Sequence, residues 1–300
     1  MRVFVTGATG FIGSAVVREL LEAGHQVTGL ARSDQGAAAL AAVGAEVHRG
    51  SLQDPDSLRA AAAASDGVIH TAYIHDFSAN NDAPAYARID GRAIAAIGDA
   101  LAGSGRPFIV ASGLPVPAPG QVTTEEAAAP ENPAYPRVSE PAALSLTGRG
   151  VRASVVRQPP TVHGEGDHGF IPALIAIARA KGLSAYVGDG SNRWSAVHRL
   201  DAARLFRLAL ESAPAGTRLN AIGDGGVPFR DIAGVIGKHL DLPVTGLSAE
   251  EAAGHFGLFA GFASIDVPAS SAVTQERFGW QPTHPGLIAD LDEGHYFKET

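Results

Sequence analysis

The chain has 300 residues, of which 45% are hydrophobic and 18% charged, enough apolar material to bury a sizeable core and too much to stay disordered. It has no cysteine, which excludes disulfides, thiolate metal sites, cysteine nucleophiles and iron-sulfur clusters, so redox chemistry needs a bound cofactor. A formal charge of −8 without any Lys or Arg run argues against nucleic acid or an anionic membrane as partner and leaves a small-molecule substrate. The opening Met1-Arg2-Val3-Phe4-Val5-Thr6-Gly7 lacks the apolar stretch of a signal peptide, and no run of 18 apolar residues occurs. The cytoplasm is the expected compartment.

Short β-branched runs predict strands at Val3 to Thr6, Val27 to Ala31, Glu46 to Arg49, Val68 to Thr71, Phe108 to Ala111 and Ala153 to Arg157. Between the first two, Ile12, Val16, Val17, Leu20 and Leu21 fall on one helical face, and Gly24 stops the helix. Strand alternating with helix predicts a parallel sheet covered on both faces. Beyond Arg157 the pattern loosens into a loop, a helix from about Pro172 to Lys181 and a tail punctuated by Pro and Gly. The predicted organisation is a dinucleotide-binding domain over 1–165, followed over 166–300 by a mixed region. That region holds a smaller lobe for substrate, while 194–210 and 218–222 are candidates to return to the main sheet. Glu125-Glu126 and Glu250-Glu251 read as solvated helix starts, the second pair after an N-cap at Ser248.

Thr6-Gly7-Ala8-Thr9-Gly10-Phe11-Ile12-Gly13 joins the first strand to the first helix. Glycines three apart permit a tight turn, close backbone approach to a pyrophosphate and close helix-on-strand packing. The helix N-terminus then presents free N–H groups and a favourable dipole to the phosphates. The position of the motif inside a βαβ unit raises it above a chance glycine triplet, and Gly7, Thr9, Gly10, Phe11, Ile12 and Gly13 are its candidate cofactor contacts.

This segment resembles the glycine motif of the extended and atypical short-chain dehydrogenases/reductases, the epimerase/dehydratase group. Val68-Ile69-His70-Thr71-Ala72 resembles the family's fourth strand under the cofactor, which implies contacts from Thr71 and Ala72. Gly50-Ser51-Leu52-Gln53-Asp54 resembles the adenine-side turn and implicates Ser51 and Leu52, with Ser51 standing where the family often has Asp. Arg157 to Gly164 resembles the loop that passes the nicotinamide and implicates Pro159. Val197-His198-Arg199-Leu200-Asp201-Ala202-Ala203 resembles the late VHVDDLA-like segment, where His198 and Asp201 read as structural ties. The resemblance spans nearly the whole chain. It implies a doubly wound, Rossmann-like α/β fold with a smaller C-terminal lobe, and by analogy a homodimer formed through helices near Ala85 to Gly103 and Val138 to Arg149.

The second strand ends in Leu30-Ala31-Arg32-Ser33-Asp34. Arg32 offers a permanently charged fork and Ser33 a hydroxyl, both suited to a 2′-phosphate. NADP (as NADPH) is therefore expected ahead of NAD; the alternative is a solvated Arg32 with Asp34 serving a ribose. The resemblance also implies a catalytic Ser or Thr after the fifth strand and a Tyr followed four residues later by Lys, which binds the nicotinamide ribose and lowers the Tyr pKa. Lysine occurs only at Lys181, Lys238 and Lys298, so the pair cannot form. The expected place reads Tyr135-Pro136-Arg137-Val138-Ser139-Glu140-Pro141, with Ser139 at the lysine spacing; aligning Ser139-Glu140 with the usual Ser-Lys pair instead puts Pro136 at the tyrosine. After the fifth strand, Ser112 is the one hydroxyl present, and the catalytic position itself aligns with Gly113.

Tyr135, Ser112 and His163 are the candidate catalytic residues, His163 because it stands where the family loop often carries Tyr. Their plain alternatives are packing at a helix start, at a strand end and in a loop. His163-Gly164-Glu165-Gly166-Asp167-His168 matches no standard metal spacing, so no metal is expected, and Asp167 and His168 read as shaping a substrate loop. Trp194 and Phe170 are either pocket wall or core. A tyrosine without a lysine keeps a pKa of about 10 and is mostly protonated. It donates a proton well and accepts one poorly, which suits carbonyl reduction, and more simply the reduction of an iminium ion that arrives already protonated. NADPH-dependent reduction of a small carbonyl or imine is the expected activity. The rivals are an NAD-dependent sugar epimerase or dehydratase and a cofactor-binding sensor without turnover.

Overall fold

The computed structural model describes residues 1–75, 82–128 and 137–298. The first half alternates strand and helix: β1 (Arg2–Thr6), α1 (Phe11–Glu22), β2 (Gln26–Ala31), α2 (Asp34–Ala42), β3 (Glu46–Arg49), α3 (Pro55–Ala63), β4 (Gly67–His70), α4 (Ala83–Leu101), β5 (Pro107–Gly113), α5 (Ser139–Ser145) and β6 (Arg152–Gln158). The second half adds β7 (Thr161–His163), α6 (Phe170–Lys181), β8 (Ser184–Val187), β9 (Arg193–His198), α7 (Arg199–Ser212), β10 (Arg218–Asn220), β11 (Asp224–Pro228), α8 (Phe229–Leu240) and β12 (Val244–Leu247). Four short helices close the chain: α9 (Ala249–Phe256), α10 (Ala260–Ser264), α11 (Ala272–Phe278) and α12 (Leu287–Asp292).

Seven parallel strands form the main sheet in the order β10-β6-β5-β4-β1-β2-β3. Strand order reverses between β1 and β4, so the crevice of this doubly wound sheet opens beyond their carboxyl ends, where Thr6 pairs with His70. One face is covered by α1, α2 and α7, with Val16, Leu20, Leu40, Phe206 and Leu210 buried against the strands; the other by α3, α4 and α5, with Leu58, Ile94, Ile97 and Leu146. Near-continuous apolar strands such as Val3-Phe4-Val5 and Phe108-Ile109-Val110 are what burial on both faces demands. A third core lies in the C-terminal lobe, where Trp194 stacks edge-on to Phe229 and Phe170. Trp194 is 1% exposed and belongs to that core.

The six predicted strands fall on β1 to β6 to within a residue or two. Elements from beyond residue 166 also join the main body: α7 packs on α1, and β10 extends the sheet next to β6. Two local readings change. The loop after β6 contains β7, which pairs with β9, while β11 completes a small three-stranded sheet on the other side of β9. Glu125, read as a solvated helix start, is 6% exposed and non-helical; its Oε1 accepts from the Thr274 amide and hydroxyl at 2.8 and 2.7 Å. The companion reading holds, since Ser248 and Glu251 form a reciprocal capping box at the start of α9. Among the described residues no helix is long and apolar enough to cross a membrane.

Candidate functional site

The glycine segment sits at the switch point of the sheet. Gly7 has φ +67°, and a Cβ there would stand 2.7 Å from the Ala72 amide nitrogen and 2.8 Å from Thr71 Oγ1. Thr71 Oγ1 donates to Thr6 O at 2.8 Å, and Gly10 N donates to Gly7 O at 2.8 Å, which closes the turn. A Cβ on Gly13 would collide with the Gly7 carbonyl, so α1 can lie this close to β1 only without a side chain there. Gly10 caps α1 with no side-chain acceptor, and Thr9 and Gly10 are exposed, leaving the first-turn amides open toward the crevice. These amides, set against Thr71 and Ala72, fit a dinucleotide diphosphate by shape and by dipole. Gly13→Ala is expected to cost about 1–3 kcal/mol of stability through overpacking and to abolish dinucleotide binding, read by thermal melting and calorimetry.

At the expected adenosine end Arg32 is exposed and makes no hydrogen bond or ion pair among the described residues. Ser33 Oγ caps α2 by accepting from Gly36 N at 3.1 Å, which leaves its own proton available. Asp34, the alternative ribose partner, is bound by Arg49 Nη2 at 2.7 Å, and Arg49 also donates to Ser33 O. Arg49 was not singled out in the sequence; its place at the end of β3, beside the end of β2, is the available signal. Ser51 and Leu52 are half-buried in the turn before α3, where Ser51 Oγ accepts from Gln53 N at 3.3 Å.

The candidate catalytic residue Ser112 and the cofactor candidates Thr71 and Ala72 stand at the carboxyl ends of β5 and β4. Ser112 is 5% exposed at the end of β5, and Pro159 is buried in the turn after β6. Tyr135 and Pro136 fall outside the described residues. At the lysine spacing, Ser139 Oγ donates to Asp90 Oδ2 at 2.7 Å; Asp90 Oδ1 is 3.0 Å from His70 Nε2, and His70 Nδ1 is 2.8 Å from Thr6 Oγ1. All four residues are at most 2% exposed. A carboxylate only accepts, so His70 Nε2–H donates to Asp90, and in the uncharged ring Nδ1 accepts from Thr6. This chain of hydrogen bonds ties the residue before Gly7 to the start of α5.

His163 has no exposed surface: Nδ1 is 2.8 Å from Asp290 Oδ2 on α12, and Nε2 is buried without a hydrogen-bond partner. Its ring meets that of His198 edge-on at 5.5 Å, so this last residue of β7 packs between the end of β9 and α12. Asp201 makes structural hydrogen bonds, accepting from the Thr283 and His284 amides at 3.0 Å each, whereas His198 Nδ1 caps its own helix α7 by accepting from Leu200 N at 3.3 Å. His168 packs edge-on against Phe11 at 5.8 Å, and the Arg199 guanidinium lies 5.0 Å from the centre of the same ring, which brings the 164–169 loop over the mouth of the glycine cradle. Asp167 in that loop has its carboxyl pushed up by burial, against the opposing pull of its hydrogen bond from Gly169 N.

Comparison with known proteins now decides the family: the model of the NAD dependent epimerase/dehydratase family matches residues 3–221. The chain belongs to that family. This epimerase/dehydratase-family chain is 51% identical, over 99% of its length and 100% of the other, to a Schizosaccharomyces pombe protein named Uncharacterized protein C2A9.02. It is 30% identical to the 2-alkyl-3-oxoalkanoate reductase of Stenotrophomonas maltophilia, covering 72% of this chain and 67% of that one. Among solved structures, a dTDP-glucose 4,6-dehydratase from Streptomyces venezuelae with NAD bound superposes with a TM-score of 0.78 at 20% identity, covering 98% of this chain and 96% of that one. The epimerase/dehydratase family to which the chain belongs is NAD(P)-dependent and includes oxidoreductases, epimerases and dehydratases, and the chain has the doubly wound Rossmann-like fold of the group.

Proposed function

We propose that the protein is an NADPH-dependent reductase of a small carbonyl or imine substrate. The observation that carries this reading is that neither candidate for the lysine position offers an ammonium: Ser139, four residues after Tyr135, has its hydroxyl committed to Asp90, and Glu140, the candidate of the other alignment, is held by Arg157. No ammonium at that place lowers the pKa of a neighbouring phenol, so the site supplies an acid more readily than a base. Oxidation of an alcohol, the opening step of sugar epimerisation and dehydration, needs the base. A reduced nicotinamide, when bound, supplies the hydride. The amides at the start of α1 hold the diphosphate, Ser112 lines the crevice at the end of β5, and Tyr135 is the proton donor in this reading. The name of the Stenotrophomonas maltophilia relative, a reductase of oxoalkanoates, supports the same direction.

NADPH is favoured over NADH because Arg32 is unengaged while Asp34 is already neutralised by Arg49. Arg32→Ala is expected to weaken NADPH binding roughly ten- to a hundred-fold, the worth of about 1.5–3 kcal/mol for hydrogen bonds to a charged group, and to leave NADH binding unchanged. Calorimetry with both cofactors reads this; equal loss for both would remove Arg32 from the 2′-phosphate. The activity is tested by following NADPH absorbance across ketones, aldehydes and cyclic imines, with NADH alongside. Cofactor-neutral conversion of a nucleotide sugar would favour an epimerase or dehydratase, and NADPH binding without any turnover would favour a sensor.

A further inference from the structure

The ends of β4 and β5 hold a cation that the reductase reading has not used. Arg137 lies two residues before α5, and its Nη1 comes within 3.1 Å of where a Cβ on Gly113 would stand. The guanidinium therefore fills the space that a side chain at 113 would take, immediately after Ser112 at the carboxyl end of β5. Its carbon lies 5.0 Å from the centre of the Tyr73 ring, a cation–π contact that seats it, and Tyr73 in turn packs against His75 at 5.1 Å. Tyr73 and His75 belong to the segment that leaves β4 past Thr71 and Ala72, so Arg137 sits at the same carboxyl end of the sheet as the glycine cradle. The charged groups that act on His75 are Arg137 and His168, both basic. The ring meets solvent in part, yet the protein packed around it, then Arg137, then His168, hold its pKa at about 4. Both described charges beside it are basic, and the fixed cation of Arg137 favours negative charge in this part of the crevice.

We infer that Arg137 is the oxyanion-binding residue of this site and that the substrate is a carbonyl compound, not an iminium ion. The inference rests on the reductase reading above and decides between the two substrate classes left open there. In the reduction the carbonyl carbon gains the hydride of NADPH, the C=O π pair moves onto oxygen, and NADPH leaves as NADP⁺. The resulting alkoxide takes a proton from solvent water or a phenol. Arg137 keeps its own protons throughout, because a guanidinium does not deprotonate in proteins; it donates N–H bonds that strengthen as charge builds on the oxygen. An iminium ion reverses this electrostatics: it arrives positive and becomes neutral, so a fixed cation beside it opposes binding and gains nothing as the reaction proceeds.

The test compares the intact protein with Arg137→Ala, Arg137→Lys and Arg137→Gln on a ketone panel and on 2-methyl-1-pyrroline, with NADPH affinity measured by calorimetry as the control for folding. For carbonyls, Arg137→Ala is expected to lower kcat/KM by about 10²–10³-fold, the usual effect of removing an oxyanion donor. NADPH affinity should stay unchanged, Arg137→Lys should retain part of the activity, and added guanidinium chloride should restore part of it to Arg137→Ala. The ratio of imine to carbonyl turnover should rise in Arg137→Ala. Independently of turnover, the His75 titration followed by NMR should move from about 4 toward the ordinary histidine range in Arg137→Gln. A wild-type preference for the imine, an equal loss on both substrate classes or an unmoved His75 titration overturns the assignment of Arg137 while the reductase reading stands. Failure of the wild type to oxidise NADPH with either class overturns both.

Discussion

Glu140→Ala is expected to cost about 3–5 kcal/mol of folding stability, the toll of breaking a buried ion pair and leaving its partner charged. Glu140 is 3% exposed and Arg157 is fully buried. Arg157 Nε and Nη2 grip the carboxylate at 2.8 and 2.7 Å in a two-point fork, and Arg218 Nε adds a third bond at 2.7 Å. Arg157 also donates to the carbonyls of Thr124 and Ala127, so a single guanidinium joins β6, α5 and the turn that carries Glu125. Against a typical total stability of about 5–15 kcal/mol, this loss is roughly a fifth or more, read by urea unfolding. Replacing the pair together, Glu140→Leu with Arg157→Met, is expected to recover part of it, because apolar groups of similar volume need no countercharge. The pair also sets an acid limit. Burial acts to raise the Glu140 pKa, but the hydrogen bonds and charge of Arg157, followed by those of Arg218, outweigh it and hold the carboxyl below its ordinary value. A depressed carboxyl contributes stability that is present above the unfolded pKa, about 4.3, and is lost as pH falls through the folded value. Unfolding midpoints should therefore drop on acidification below about pH 4 more steeply in the wild type than in the Leu–Met double variant; parallel pH profiles would rule the pair out as the cause.

What the sequence makes legible is whatever is local. The cradle could be read because its glycines, the strand before them and the helix after them lie within 22 residues of the start. Its geometry, including the carbonyl of Gly7 under Gly13, is the same local fact seen in space. The parallel sheet follows from the same strand-helix alternation. Other features depend on partners distant in sequence and escape it. Glu125 looks solvated beside Glu126 until Thr274, 149 residues on, supplies two donors. The burial of His163 depends on Asp290, 127 residues away. Asp90 reads as an ordinary polar residue in α4 because helical periodicity gives no hint that the apolar face includes a carboxylate. Arg137 gives no local signal for a different reason: the family spacing puts a cation four places after Tyr135, whereas the guanidinium near Gly113 comes from two places after it.

Asp90→Ala is expected to be severely destabilising, and Asp90→Asn much less so, for a reason specific to the chain Thr6–His70–Asp90–Ser139. Alanine leaves His70 Nε2–H and Ser139 Oγ–H, both in residues at most 1% exposed, without an acceptor. Each orphaned buried donor costs about 1–3 kcal/mol, so the pair together removes about 2–6 kcal/mol, with a cavity added. Asparagine keeps the shape and can satisfy both His70 and Ser139 if the chain of donors reverses on one side. Its carbonyl still accepts from Ser139, its amide donates to His70 Nε2, and the imidazole moves its proton to Nδ1 and donates to Thr6 Oγ1. What is lost is the strength of charge-assisted bonds relative to neutral ones, roughly a factor of two per bond. The signature is spectroscopic: ¹⁵N shifts of His70 should report protonated Nε2 in the wild type and protonated Nδ1 in Asp90→Asn. Because α5 begins two residues after Arg137, loosening Ser139 should also lower turnover more than it weakens NADPH binding. If Asp90→Ala and Asp90→Asn unfold at the same denaturant concentration, or if His70 keeps one tautomer in both proteins, the hydrogen-bonded chain does not hold the start of α5 in the way the distances indicate.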